Sequence, residues 1–261
     1  MQYAKKSLGQ NFLIDNNVVK KIINLTDVKN KNVLEIGPGK GVLTDLIIEK
    51  NPKSLIIVEK DNVLFDKLNN KYKSNEKVKI YNEDIMKFNL NLKLKEKTII
   101  FGNLPYNISS QILVKIIKLK SINLKCQSLV LMFQKEMADR IAANFNSSHY
   151  GRLSILTNYK LNIIKKFNVS PFCFFPKPKV NSTVLFFKPR KPLNSQIKNI
   201  NNLEKVTNIM FSNKRKMINK SIKKILNNSQ ISSIKNLNLN LRPSELSFEK
   251  YYKITELFES C

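Results

Sequence analysis

Histidine and cysteine are scarce in this chain. Its 261 residues include one histidine, His149, and three cysteines, Cys126, Cys173 and Cys261. The cysteines are widely separated and form no C-x-x-C pair, so neither a disulfide framework nor a Cys/His zinc site is expected. A Ser-His-Asp or Cys-His hydrolase would have to rest on His149 alone, and no G-x-S-x-G elbow accompanies it. His149 reads instead as a surface-loop residue beside Ser147 and Ser148. No apolar run approaches the roughly 20 residues that cross a bilayer. The opening "MQYAKKSLGQNFL" has no long apolar stretch and no small-residue cleavage site. The expectation is a cytoplasmic protein with no membrane partner. Acidic residues are also few: 19 Asp and Glu stand against 46 Lys and Arg, a formal net charge of +27. Compositional drift toward Lys, Asn and Ile would raise Glu as well, and Glu is not abundant. An excess of this size attracts polyanions, nucleic acid first among them.

What the chain does have is alternation. Short buried strand patterns at "NVLEIGPG", "SLIIVEKD", "KVKIYNED", "KTIIFGN" and "QSLVLMF" are separated by helical spacing, as in "SSQILVKIIKLK" with Ile112, Leu113, Ile116 and Ile117 on one face. This predicts an α/β fold with a parallel sheet covered by helices on both faces. "KPRKPLNSQ" reads as a basic, proline-broken linker. Past it, "KVTNIMFSNKRKMINKSIKKILNN" and "SELSFEKYYKITELF" show helical spacing only. The expected division is residues 1–189 as the catalytic domain and 190–261 as a small helical one.

In an open parallel sheet, ligands bind beyond the carboxyl ends of the strands. The first strand ends in Gly37-Pro38-Gly39-Lys40-Gly41, where glycines permit a tight turn and close approach to the main chain. The spacing is G-x-G-x-G, not the G-x-G-x-x-G that cradles a pyrophosphate. The second strand ends in Glu59, 22 residues after Gly37, the distance at which a carboxylate accepts from a ribose diol. The third ends in Glu83-Asp84-Ile85. There Asp84 either accepts from an adenine amine, with Ile85 against the ring, or caps the next helix. The fourth ends in Asn103-Leu104-Pro105-Tyr106. Pro105 holds Leu104 extended, so the Leu104 carbonyl and the Asn103 side-chain oxygen become two acceptors beside an aromatic face. That set suits a planar base carrying an NH2 group. Fixing both hydrogens favours a pyramidal nitrogen with its lone pair aimed at an incoming methyl group. Together the four strand ends predict an adenosine-bearing methyl donor, S-adenosylmethionine rather than NAD, and no metal.

The motifs "LGQNFL", "LEIGPGKGVLT", "VEKD", "NEDIMKF", "GNLPYNISS", "MFQKEMADRI", "YGRLSIL" and "FFPKPKVNSTV" occur in this order over nearly the whole chain. In this set the chain resembles the ribosomal RNA adenine dimethyltransferases. The resemblance implies a Rossmann-like class I S-adenosylmethionine-dependent methyltransferase domain with an all-helical, RNA-binding C-terminal domain. It implies dimethylation of two adjacent adenosines near the 3′ end of small-subunit ribosomal RNA, within a partly assembled subunit, by a monomer. It further implies cofactor contacts from Asn11, Leu13, Gly37, Glu59, Asp84 and Asn103. Target-adenine contacts would come from Asn103, Leu104 and Tyr106, with Phe174 a second stacking face and the base extruded to reach them. "FSNKRKMINKSI" departs from the family signature at Lys214, where arginine is usual, and at Ile222, where leucine is. Lysine lacks arginine's bidentate grip on phosphate. Three other readings stand beside this one: a resistance-type methyltransferase acting on large-subunit RNA, a catalytically idle RNA-binding assembly factor, and a small-molecule methyltransferase. The positive charge speaks against the last, and the intact tetrapeptide speaks against the idle module.

Overall fold

The computed structural model describes residues 9–191 and 197–260. The first eight residues, the 192–196 part of the expected linker and Cys261 lie outside them. Strands are β1 (Phe12–Leu13), β2 (Asn32–Ile36), β3 (Ser54–Glu59), β4 (Val78–Asn82), β5 (Thr98–Asn103), β6 (Cys126–Gln134), β7 (Leu161–Val169), β8 (Phe174–Phe175) and β9 (Ser182–Pro189). Helices are α1 (Asn16–Ile23), α2 (Val42–Glu49), α3 (Asn62–Tyr72), α4 (Leu90–Lys93), α5 (Ser109–Ile117), α6 (Ile122–Lys125), α7 (Lys135–Ile141), α8 (Arg152–Lys160), α9 (Ile200–Phe211), α10 (Asn219–Ile222), α11 (Asn228–Ser232) and α12 (Phe248–Phe258).

A seven-stranded sheet runs β4-β3-β2-β5-β6-β9-β7. Strands β2 to β6 pair in parallel, as expected, and β9 joins β6 antiparallel. The sequence patterns did not predict β7 and β9, which make the sheet mixed. Strand β5 is buried at five consecutive positions, as a strand covered on two faces must be. On one face, Val33, Leu55, Ile57, Ile99, Phe101, Val130 and Met132 join α1, α2 and α3 in a common core. A β-strand presents alternate residues to one face, so these positions follow a period of two.

From β2 the chain steps outward to β3 and β4, then returns to place β5 on the other side of β2. The crevice at that reversal is where such sheets bind ligands. Ile36 pairs with Val58 and with Gly102, so the next row holds Gly37, Glu59 and Asn103. Glu59 in turn sits opposite Asn82, which precedes Glu83 and Asp84. The four strand ends singled out in the sequence therefore open on a single edge.

Two compact units are present. One contains the residues up to Ala138 with Asn162–Pro189; the other contains Asp139–Leu161 with the residues from Arg190 on. This differs from the contiguous division of 1–189 and 190–261, because α8 belongs to the second unit. The reason is aromatic burial. Tyr150 packs at 5.3 Å from Phe248 and 6.3 Å from Phe211, and Tyr159 at 5.0 Å from Tyr252. Tyr252 Oη also donates to Asn158 at 2.9 Å. The helix expected across "FSNKRKMINKSI" is interrupted: α9 stops at Phe211 and α10 begins at Asn219. Lys214 donates to the Ser148 carbonyl at 3.0 Å. Among the described residues, no helix is long and apolar enough to cross a membrane.

Candidate functional site

The glycine loop after β2 closes over the ends of its neighbours. Gly37 and Gly39 adopt φ of +66° and +60°, a left-handed conformation that penalises a side chain. A Cβ on Gly39 would also sit 2.8 Å from the Phe12 ring. The loop therefore presents bare backbone to a cavity of about 370 Å³, within the range that small-molecule sites occupy. Asn11, Leu13, Gly37, Glu59, Asp84, Asn103, Leu104 and Tyr106 all line it.

Glu59 is 6% exposed, and its Oε1 accepts from the Asp61 amide at 2.8 Å. Burial pushes its carboxyl above the usual range; the amides of Asp61 and Gly39 oppose that shift. Asp61 caps α3 and accepts from Gln10 Nε2 at 3.1 Å, which ties residues 9–13 to the rim. Asp84 both caps and pairs. Its Oδ1 accepts from the Met86 amide, and its Oδ2 meets Lys60 Nζ, each at 2.8 Å. Lys60, followed by that amide, holds the Asp84 carboxyl below its ordinary value.

At the end of β5, Asn103 caps no helix. Its Nδ2 donates to the Asn11 carbonyl at 3.0 Å. That bond orients the amide so that Oδ1 is the atom left for a ligand. Among the described residues, neither Oδ1 nor the Leu104 carbonyl accepts a hydrogen bond. Tyr106 is half-buried, and its hydroxyl pairs with Ser182 Oγ at 2.6 Å. Ser182 starts β9 and is fully buried. The sequence reading quoted the "FFPKPKVNSTV" run without giving this serine a role.

Phe174 is the expected site residue that the cavity lining does not include: it is 2% exposed and packs in the core with Leu13. Strand β8 pairs antiparallel with β1, Leu13 opposite Phe174 and Phe12 opposite Phe175. Strand alternation turns Phe174 inward and leaves Phe175 54% exposed.

Glu35, beneath the glycine loop, had no role in the sequence reading either. It is 2% exposed, and Thr44 Oγ1 donates to its Oε2 at 2.7 Å. Burial pushes the carboxyl from 4.5 up to about 8, against the opposing Thr44 hydrogen bond. The folded chain then keeps a proton that the unfolded chain releases, so stability falls as pH rises from 4.5 toward 8. Glu35→Gln copies the protonated shape and is expected to flatten this slope. Wild-type Tm should drop relative to the variant between about pH 5 and pH 8, by several degrees in order of magnitude. Parallel Tm profiles would mean that Glu35 is ionised in the fold.

Both described thiols are held toward the protonated form: burial pushes Cys126 up to about 12, and burial with the neighbouring Asp15 raises Cys173. Among the described residues, no group of three or more His, Cys, Asp or Glu side chains could hold a metal ion.

A family model described as ribosomal RNA adenine dimethylase matches residues 1–260. Ribosomal RNA small subunit methyltransferase A of Pelagibacter ubique is 47% identical over 257 residues, spanning 98% of this chain and 97% of that protein. The protein of the same name from Francisella tularensis subsp. novicida is 39% identical over 213 residues, 79% of each. The crystal structure of a dimethyladenosine transferase from Plasmodium falciparum matches with a TM-score of 0.76 at 25% identity, covering 93% of this chain and 95% of that one. The 23S rRNA methyltransferase ErmE shares the fold, with a TM-score of 0.70 at 20% identity over 95% of this chain and all of its own. These matches agree with the strand order, the glycine loop and the tetrapeptide at the end of β5: the chain belongs to the ribosomal RNA adenine dimethylase family.

Proposed function

We infer that this chain transfers methyl groups from S-adenosylmethionine to the exocyclic amines of two adjacent adenosines near the 3′ end of small-subunit ribosomal RNA. The observation that carries this reading is the Asn103 amide. Its nitrogen is tied to the Asn11 carbonyl, and its oxygen is left at the mouth of a nucleoside-sized cavity. When bound, S-adenosylmethionine supplies an electrophilic methyl group on a sulfonium. The residues present fit such a donor: bare backbone at Gly37 and Gly39 allows close approach, and the Glu59 carboxylate accepts from ribose hydroxyls. Ile85 packs beside the adenine of the donor. Asp84 can bind that adenine's amine only by sharing an oxygen already held by Lys60 or Met86.

The target amine is held differently. Asn103 Oδ1 and the Leu104 carbonyl accept its two hydrogens, which localises the nitrogen lone pair toward the methyl. Tyr106 stacks on the base. Attack forms an N–C bond as the C–S bond breaks, and the nitrogen sheds its proton to water. No strong base is needed, so catalysis is positioning and electrostatics. The site's scale suits one extruded base. The substrate form we propose is a partly assembled small subunit, bound by a cytoplasmic monomer, with the helical unit contributing to RNA affinity.

The test is incubation of undermodified small subunits with labelled S-adenosylmethionine, followed by mapping of the label. Label on adjacent adenosines near the 3′ end supports the reading; label confined to large-subunit RNA overturns it. Ser182→Ala tests the Tyr106 anchor. Loss of a buried hydroxyl partner, about 1 kcal/mol, should cost about fivefold in turnover. Cofactor KM should hold, and Ser182→Thr should restore the rate. A cofactor KM that rises while turnover holds would remove Ser182 from the target side of the site.

A further inference from the structure

Two phenylalanines of one segment, within β8 and in the turn that leads into it, stand in solvent. Phe172, in the turn Pro171–Cys173, is 75% exposed, and Phe175 is 54% exposed. Each carries an ammonium group on its ring. Lys177 Nζ lies 3.5 Å from the Phe172 centroid, and Lys40 Nζ lies 5.8 Å from that of Phe175 and 5.2 Å from that of Phe12. Lys40 and Phe12 both line the cavity, and Phe175 pairs with Phe12 and shares Lys40 with it, so Phe175 adjoins the rim. The nearby carboxylate, Asp15, is committed to the amides of Asn17 and Val18 and to the Cys173 thiol.

We propose that Phe175 and Phe172 stack on the unpaired bases that flank the adenosine in the cavity, with Lys40 and Lys177 meeting their phosphates. This rests on the function proposed above. A nucleotide in the cavity is covalently joined to its neighbours, so the strand must cross the rim. An aromatic face beside a mobile cation is what sequence-tolerant binding of single strands uses. Burying exposed rings under bases also removes apolar surface from water. The cations favour a polyanion over an apolar protein partner. Phe12 lies beneath Lys40 and is buried, so the platform consists of the two exposed rings.

The experiment uses the full chain and two labelled RNAs. One is a short single strand with two adjacent adenosines; the other is the same strand with abasic sites on either side of them. Wild type should bind the first about tenfold more tightly, and Phe172→Ala with Phe175→Ala should abolish the difference. Phe→Tyr at both positions should retain it. Lys177→Gln should lower the salt slope of binding by about 0.7. Thermal midpoints serve as the folding control, because both rings are exposed. Alanine variants that discriminate between the RNAs as wild type does would overturn the proposal. Weaker association with undermodified subunits at unchanged RNA affinity would assign the rings to a protein surface, which also overturns it. Failure of wild type to bind S-adenosylmethionine in calorimetry would strike the proposed function instead, so the two failures are distinguishable.

Discussion

Asn103→Ala is expected to lower methyl transfer by about 10²–10³-fold, the scale seen when one preorganised polar contact to a reacting group is removed. Two losses combine. The target amine loses an acceptor, and the Asn11 carbonyl loses the donor that holds residues 9–13 against the end of β5. RNA affinity should stay near wild type, because the phosphate contacts that dominate it lie elsewhere. Asn103→Asp separates the two roles. It keeps an acceptor but cannot donate to the Asn11 carbonyl, so it should remain well below wild type. Single-turnover methylation with saturating donor, beside RNA titrations, reads both quantities. Equal loss of rate and RNA affinity would mark Asn103 as a folding residue.

Glu59→Ala should act on the donor. A carboxylate accepting two ribose hydroxyls contributes about 1.5–3 kcal/mol per charged hydrogen bond, so cofactor affinity should fall at least about tenfold. The same group sets a pH dependence. Its carboxyl is raised by burial, with Asp61 also raising it through repulsion. Protonation removes the charge and turns one of the two accepting oxygens into a donor. Wild-type cofactor affinity should therefore fall on acidification at a pH above the ordinary glutamate range, and Glu59→Gln should lose that transition. Calorimetric titrations across pH decide this. A wild-type profile that stays flat through mildly acidic pH would place the ribose away from Glu59.

The site was legible where chemistry follows strand order. A parallel sheet puts every strand's carboxyl end on one edge, so strand order alone groups Gly37, Glu59, Asp84 and Asn103. Asp84 was the ambiguous one: Oδ1 accepts from the Met86 amide in a turn and starts no helix, since Asn89 caps the next one, and the side chain lines the cavity. Contacts between distant segments were not legible. The Asn11–Asn103 bond spans 92 residues and the Tyr106–Ser182 bond spans 76, and no local pattern announces either. Phe174 and Phe175 are chemically alike, so only the pairing of β8 with β1 could decide which faces inward. Residues 139–161 look like a continuation of the α/β alternation. Their aromatics pack with α9 and α12 instead, and burial decides the unit to which they belong.

The sequence by itself determined the alternation of strands and helices, the polar residue at the end of each parallel strand, the positive charge and the family. Hydrophobic period, turn residues and charge are local properties that need no partner to be read. Only the tertiary structure decided which end of the Asn103 amide is left for a ligand, what anchors Tyr106, which phenylalanine faces solvent and why the Glu35 carboxyl is raised. Each of these depends on groups brought together from distant parts of the chain and on the water excluded between them.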